Sequence, residues 1–306
     1  MMIQEIREIP TRAEKVYYAT KNIVLPEHVP YLGMGSSFYA ALALYYQGIP
    51  IQPNIASEYY NYLSNKQVKK VGVLISQSGK SSEVLWCREL FHKFYAITNE
   101  LKSPLCISTK LERVYPLLAG KEEYSSSKTY VNTLITLYNG LGVDPFQAVD
   151  AFRHRMKEFE TWGQDIAAQI YELMLDKRYK GTYIIGNGPN IATASQAALI
   201  LSETTKHPFI GMSVAQYDHG PKETAQDSVV IVIRTQGPAK KRTDRLFDLV
   251  ENAGAHVFYY EENEISEALS PITNSIPFYF LAHFLAKLLK IKETFAVGSK
   301  VTQVEN

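Results

Sequence analysis

Residues 28–36, HVPYLGMGS, form an apolar run that leads directly into a Gly-x-Gly turn. Residues 181–189, GTYIIGNGP, repeat this pattern, and Gly33 and Gly186 stand 153 residues apart (186 − 33). Each run has the length and apolar character of a buried strand, and each turn has the glycines typical of a tight strand-to-helix connection. The repeat therefore indicates two similar halves, each of which begins with a strand, a turn and a helix.

A second pair of stretches recurs in the same order. Residues 71–79, VGVLISQSG, and residues 229–237, VVIVIRTQG, are β-branched runs that end in a polar loop, at an offset of 158 residues (237 − 79). Both halves also contain stretches of helical period, at 39–46, 82–92, 193–204 and 241–253, and further short apolar strands, at 94–98 and 256–260. Strands alternating with helices predict an α/β fold with parallel sheets covered by helices on both faces.

The length of 306 residues favours two domains over one. Residues 146–179 are rich in helix formers with apolar residues at helical spacing, which predicts a helix that joins the two halves. We therefore predict a first domain at residues 1–150. Residues 151–306 are expected to contain the linker helix, the second domain and a C-terminal tail.

Composition and charge exclude several classes of protein. With 46% hydrophobic and 21% charged residues the chain is globular, and its net charge of +1 is spread without a basic face for nucleic acid or an anionic membrane. Cys87 and Cys106 form no Cys-x-x-Cys pair, which predicts reduced thiols and neither a disulfide framework nor a zinc site. The first residues carry acids and no apolar run with a cleavage site, so we expect no signal peptide. The apolar residues 276–289 are too short to span a membrane and predict a buried helix. We expect a cytoplasmic protein without a metal or organic cofactor.

Hydroxyl groups are concentrated in the two glycine loops of the first half. In open parallel sheets, ligands bind beyond the carboxyl ends of the strands, where the loops lead into helices. Backbone N–H groups and the positive end of the helix dipole hold phosphate at such positions, and hydroxyl groups add donors. The predicted phosphate-binding residues are Ser36, Ser37, Ser76, Gln77, Ser78 and Ser81.

Two other phosphate motifs are excluded at these loops. A Walker A loop would need glycine where the chain has Leu74, and a dinucleotide fingerprint would need glycine at Phe38 or Ile191. A solvated loop with helix-capping serines is the structural alternative. The second half has Pro189 and residues 234–237, RTQG, in the matching positions, so most of its hydroxyl donors are lost. We therefore predict one phosphate site, in the first half.

An ordered series of motifs runs over nearly the whole chain. The series is GMGSS at 33–37, ASEY at 56–59, SQSGKS at 76–81, SSSKTY at 125–130, LSE at 201–203, HGP at 219–221 and SKVT at 299–302. In this order the motifs resemble the sugar isomerase (SIS) domain family. Within that family they resemble the tandem-domain isomerase half of glucosamine-6-phosphate synthase and the free-standing amino-sugar-phosphate deaminases. The resemblance implies two SIS domains, each a flavodoxin-like, doubly wound parallel sheet flanked by helices.

The resemblance also implies roles for single residues. It places the phosphate donors on the six loop residues named above and the proton-shuttling base on Glu203. It makes His219 the ring-opening group, contributed by the partner subunit, and so implies a homodimer with a shared active site. Lys300 is expected near the sugar carbonyl, and Ser126 and Ser299 on sugar hydroxyls. Proton transfer between neighbouring carbons needs a carboxylate base and an acid, and a lysine forms a Schiff base or stabilises an enediolate oxygen.

Departures from the family pattern leave the reaction open. The synthase has a lysine at the position of Ile200 and an acid at that of Lys80, and its Asp-x-Pro-Arg element is missing around residues 295–297. Without a glutaminase segment, we expect glutamine not to be the nitrogen source. The leading function is deamination and isomerisation of an amino-sugar 6-phosphate to a ketose 6-phosphate. The alternatives are aldose–ketose isomerisation without nitrogen chemistry and a non-catalytic sugar-phosphate sensor.

Overall fold

A computed structural model describes residues 2–305 and has an α/β fold with parallel sheets flanked by helices. Its strands are β1 (Pro30–Gly33), β2 (Gln52–Ile55), β3 (Lys69–Ile75), β4 (Phe91–Thr98), β5 (Leu111–Pro116), β6 (Thr182–Gly186), β7 (Phe209–Ser213), β8 (Val229–Thr235) and β9 (His256–Glu262). Its α-helices are α1 (Met2–Arg7), α2 (Ile9–Thr20), α3 (Ser36–Tyr46), α4 (Ala56–Glu58), α5 (Ser82–Trp86), α6 (Lys128–Gly140), α7 (Phe146–Met174), α8 (Asn190–Thr205), α9 (Val214–Asp218), α10 (Lys240–Asn252) and α11 (Ser270–Leu288).

Contacts group the chain into two units. The first unit is Glu8–Val149 together with the segment that begins at Phe295, and it contains strands β1 to β5. The second unit is Asp150–Thr294 together with the N-terminal segment up to Arg7, and it contains strands β6 to β9. These units differ from the predicted domains in the placing of the two chain ends. The domain division after residue 150 stays a prediction.

The sheet of the first unit has the strand order β2-β1-β3-β4-β5, and its strands are parallel. Chain order reverses at β1, because β2 lies on one side of it and β3 on the other. This is the order of flavodoxin-like sheets, in which ligands bind where the β1 and β3 loops diverge. The residues that follow β1 and β3 are therefore the candidates for ligand binding.

Helices cover the first sheet because its strands are apolar on both faces. Leu32 of β1 and Leu74 of β3 are fully buried in a cluster with Val84 of α5. The adjacent residue Tyr31 is also fully buried, as expected for a strand whose side chains alternate between two covered faces. Helix α3 packs on β1 and β2 and against α6, which packs against α2.

The sheet of the second unit has the order β7-β6-β8-β9 and is also parallel. Strand β8, VVIVIRT, is buried over its first five residues, which is typical of a central parallel strand. The apolar segment predicted as a buried helix lies in α11, whose residues from Ser270 to Ala282 are all buried. Within residues 2–305, no helix is long and apolar enough to cross a membrane.

The helix predicted at residues 82–92 is wrong at its end. Helix α5 stops at Trp86, a 3₁₀ turn covers Cys87–Leu90, and Phe91 begins β4. Phe91 is fully buried and pairs with Lys69 of β3, so the sheet determines its conformation. Sheet pairing here overrides the helical spacing of the apolar residues.

A buried ion pair anchors α7 within the second unit. Both Nη1···Oε distances from Arg155 to Glu262 are 2.8 Å, and Arg155 Nη2 donates to the Tyr260 hydroxyl at 3.1 Å. Glu262 also accepts from the backbone N–H groups of Glu264 and Ile265. The Arg155 side chain is 4% exposed and that of Glu262 is 0% exposed. Arg155 is also paired with Glu158 at 2.8 Å, whereas the Glu262 carboxylate depends on Arg155 for its counter-charge.

Replacing Arg155 with methionine is expected to lower the free energy of unfolding by about 3–5 kcal/mol, because the Glu262 carboxylate stays buried without its counter-charge. Chemical denaturation measures the change. The matched control is Arg7→Met, which breaks the ion pair with Glu160 at a site where Arg7 is 61% exposed. That substitution is expected to cost less than about 1 kcal/mol. Equal losses in the two variants would contradict the importance of the buried pair.

Candidate functional site

The loop after β1 brings two of the predicted phosphate-binding residues to the start of a helix. Ser36 and Ser37 are the first two residues of α3, an 11-residue helix that follows Gly35. Both serines are half-buried. Backbone N–H groups in the first turn of a helix point outward along its axis, and the helix dipole favours an anion there. The predicted position of these two residues at a strand-to-helix turn is therefore correct, while their binding role stays a prediction.

The loop after β3 folds around its own hydroxyl groups. The Ser76 hydroxyl accepts from the N–H of Gly79 at 3.1 Å and lies 3.3 Å from the Ser81 hydroxyl. The Ser78 hydroxyl accepts from the N–H of Lys80 at 3.2 Å. A serine oxygen that accepts a bond still has its O–H to donate. The loop thus gathers hydroxyl donors into one turn.

Gly79 is required by the shape of this turn. Its φ is +60°, and a Cβ at this position would lie 2.0 Å from the Ser103 hydroxyl oxygen. The Gly79 carbonyl accepts from the N–H of Leu105, and the Gln77 carbonyl accepts from the N–H of Asn99. Backbone hydrogen bonds from neighbouring segments therefore hold the turn in place, in addition to the bonds of its own serines.

The two loops leave neighbouring strands at the same edge of the first sheet. Tyr31 and Leu32 of β1 pair with Val73 and Leu74 of β3 in parallel register. Their carboxyl ends therefore lie side by side, at the point where strand order reverses. The six residues that the sequence predicts for phosphate binding therefore follow two adjacent strands of the first unit, at the edge where such sheets bind ligands.

Lys300 and Ser126 lie near one buried carboxylate of the first unit. The Lys300 ammonium donates to the Glu122 carbonyl oxygen at 2.7 Å and to Glu122 Oε2 at 3.1 Å. The Ser126 and Thr129 hydroxyls lie 2.7 Å apart, and the Thr129 hydroxyl donates to Glu122 Oε2 at 2.6 Å. Sequence reasoning missed Glu122, although it stands three residues before the motif at 125–130.

Ser299 is less well placed for the role predicted from the resemblance. Its side chain is exposed, and its hydroxyl donates to the Val301 carbonyl at 2.6 Å. The tail nevertheless runs along the edge that carries the candidate loops, since the Val304 N–H donates to the Ser82 hydroxyl at 2.9 Å. Contact of Ser299 with a sugar stays a prediction.

Glu203 and His219 belong to the second unit. Glu203 is half-buried in the last turn of α8, where its backbone carbonyl accepts from the Lys206 ammonium at 2.7 Å. Ile200, at the position of the synthase lysine, is fully buried, so this site excludes a charged side chain without rearrangement.

His219 is exposed and directly follows α9. Its neighbour Asp218 accepts from the Lys222 ammonium at 3.0 Å and from the Arg242 guanidinium at 3.1 Å. Hydrogen bonds from Lys222 and then Arg242 lower the pKa of Asp218, so a carboxylate stands next to His219 in sequence. Each of the two predicted proton-transfer residues therefore lies on a different element of this unit.

The corresponding loop of the second sheet is filled by a carboxylate of its own unit. Glu267 Oε1 accepts from the Thr235 hydroxyl at 2.5 Å. A Cβ at Gly237 would lie 2.0 Å from both Glu267 carboxylate oxygens, so the carboxylate lies directly against the loop. The loop after β8 thus has an internal carboxylate against its hydroxyl and its glycine. This observation supports the prediction of a single phosphate site in the first half.

Comparison with known proteins finds no matching family model. Among curated proteins, the chain is 25% identical over 326 residues to glutamine–fructose-6-phosphate aminotransferase (isomerizing) of Methanothermobacter thermautotrophicus, covering 93% of this chain and 54% of that protein. The chain therefore spans about half the length of the curated relatives it matches.

Two solved structures illustrate the likeness of fold. The C-terminal domain of glucosamine-fructose-6-phosphate aminotransferase from Francisella tularensis has a TM-score of 0.75 at 18% identity, covering 94% of this chain and 96% of that one. Glucosamine-6-phosphate deaminase from Thermotoga maritima has a TM-score of 0.71 at 20% identity, covering 92% and 94%. The chain is therefore similar in sequence to these aminotransferases and shares its fold with both solved structures, in agreement with the resemblance to the sugar isomerase (SIS) domain family.

Proposed function

We propose that this chain is an isomerase-type enzyme that deaminates and isomerises an amino-sugar 6-phosphate to a ketose 6-phosphate. The observation that carries the proposal is the meeting of two serine-rich loops at the reversal point of the first sheet. Relatives named for fructose 6-phosphate chemistry support the class of substrate. A deaminase among the solved proteins of this fold supports the reaction type.

Phosphate binding is the role we assign to Ser36, Ser37, Ser76, Gln77, Ser78 and Ser81. A phosphate monoester near neutral pH carries close to two negative charges and oxygens that accept several hydrogen bonds. The start of α3 contributes N–H groups and its dipole, and the loop after β3 contributes hydroxyls. Together they hold one end of the sugar and fix the position of its reacting carbons.

Proton transfer is the role we assign to Glu203 and His219. Once the ring is open, a carboxylate base takes the proton from one carbon and returns it to the neighbouring one, as Glu203 would do. Ring opening needs a group that both gives and accepts a proton near neutral pH, which suits the imidazole of His219. The proton transfer from C2 to C1 leaves an imine at C2, which water hydrolyses so that ammonia departs and a C2 carbonyl forms. Lys300 interacts with this carbonyl, and Ser126 and Ser299 contact sugar hydroxyls.

We further propose that each unit is one SIS domain, and that two chains form a homodimer. His219 is exposed, as a residue that completes the site of a partner subunit must be in a single chain. In such a dimer the active sites are shared between subunits. Analytical ultracentrifugation of the purified protein measures the assembly directly.

Isomerisation without nitrogen chemistry is the second candidate. One specific observation favours it, namely the buried Ile200 where the synthase has a lysine. Release of ammonia from glucosamine 6-phosphate separates the two reactions, because only deamination produces it. A sugar-phosphate sensor would bind the same compounds without turnover.

Incubation with a panel of hexose and hexosamine 6-phosphates is expected to yield ketose 6-phosphate, with ammonia from the hexosamine. Glu203→Gln keeps the shape of the side chain but removes the base, so kcat is expected to fall by about 10²–10⁴-fold with little change in substrate binding. The control Glu261→Gln changes an exposed carboxylate of β9 and is expected to retain activity. Full turnover by Glu203→Gln would contradict the catalytic assignment.

Gly79→Ala is expected to raise KM for the sugar phosphate by roughly 10- to 100-fold, because the new Cβ displaces Ser103 and the turn that presents the hydroxyls. Gly142→Ala is the matched control, since Gly142 also has a positive φ, +76°, but a Cβ there meets nothing within 4 Å. The control measures the cost of placing a Cβ on a residue with positive φ, without the clash that Gly79→Ala adds. It is expected to leave KM unchanged. Steady-state kinetics of both variants checks the result, and equal KM values would argue against phosphate binding at this loop.

A further inference from the structure

Glu122 is a buried carboxylate at the start of α6 in the first unit. Its Oε1 accepts from the backbone N–H groups of Ser127 and Thr129, at 3.0 and 3.1 Å, and from the Ser127 hydroxyl at 3.3 Å. Its Oε2 accepts from the Thr129 hydroxyl and from the Lys300 ammonium. The Glu122 side chain is 0% exposed and that of Lys300 is 19% exposed. The carboxylate is therefore surrounded by donors, of which Lys300 is the charged one.

Capping a helix does not by itself explain a carboxylate at this position. The single oxygen of a neutral glutamine could accept the bonds that Oε1 receives from the two N–H groups and the Ser127 hydroxyl, and a helix N-terminus stabilises a negative charge by only about 0.3–2 kcal/mol. A largely buried lysine, in contrast, requires an opposite charge nearby. Lys300 gains this charge from Glu122 at 3.1 Å.

The contact with Glu122 also sets the orientation of the Lys300 side chain. An ammonium has three N–H donors. The Glu122 carbonyl and carboxylate take two of them, at 2.7 and 3.1 Å, so a substrate oxygen can use the third. Beyond Lys300, the N–H of Val304 donates to Ser82, which holds the tail against the loop that follows β3.

We propose that Glu122 is a positioning residue that holds the Lys300 ammonium, and with it the C-terminal tail, at the sugar end of the substrate. The catalytic part of this inference depends on the function proposed above, whereas the anchoring of the tail does not. Glu122 acts through Lys300 and through the first turn of α6, where Thr129 contacts the Ser126 hydroxyl that precedes the helix. Removing either partner of the ion pair should therefore release the tail.

Hydrogen exchange without substrate tests the anchoring in Glu122→Gln and Lys300→Met. Exchange of the Val304 amide is expected to rise about tenfold or more in both variants, because a hydrogen bond between charged groups is lost. Lys300→Met leaves the bonds from α6 to Glu122 in place, so it remains informative if Glu122→Gln folds poorly. Glu123→Gln is the control, since its side chain is 61% exposed and paired with Lys121. Unchanged protection of Val304 in Lys300→Met would overturn the inference.

A double-variant cycle tests the catalytic part. If Glu122 acts through Lys300, Glu122→Gln lowers kcat in the natural chain and adds little in the Lys300→Met background. If the factors by which the two substitutions lower kcat multiply in the double variant, Glu122 acts independently of Lys300 and supports only α6. That result would contradict the proposal. A chain that turns over no sugar phosphate would refute the proposed function, and the exchange experiment would still decide the anchoring.

Discussion

The reversal of strand order at β1 is the constraint on which the candidate site depends. The connection from β1 leads through α3 to β2 at the sheet edge, and the connection from β3 leads through α5 to β4 in the other direction. Right-handed crossovers that run in opposite directions lie on opposite faces of a sheet. The two loops therefore diverge at the place where sheets of this order bind their ligands. The N–H groups at the start of α3 and the hydroxyls of the loop after β3 favour a ligand rich in acceptor oxygens.

The second unit has the same reversal of strand order, but different residues lie at its loops. Strand β6 lies between β7 and β8, and the loops after β6 and β8 correspond to those of the first unit. There the Glu267 carboxylate receives the Thr235 hydroxyl and lies against Gly237. In both halves of the chain, a buried donor in such a loop needs a hydrogen-bond acceptor. The first half has serines suited to an external anion, and the second half contains an internal one.

The sequence predicted the central elements well because their physical signals are local. Continuous apolar runs located β3 and β8, and helical spacing located α3, α8 and α10. Short edge strands gave no such signal: β2 is QPNI, a half-exposed segment with a proline, and pairing with β1 makes it a strand. Glu122 and Glu267 were missed for a related reason. A carboxylate whose partners are distant in sequence cannot be distinguished from a surface acid until the fold brings them together, as with Lys300, 178 residues away.

The most direct measurement is a crystal structure of the protein with glucosamine 6-phosphate bound. We expect density for the phosphate group at the carboxyl ends of β1 and β3, within hydrogen-bonding distance of serine hydroxyls from both loops. Phosphate density at the loops after β6 and β8, or a bound sugar with the first-unit loops empty, would show that the phosphate site does not lie at the ends of β1 and β3.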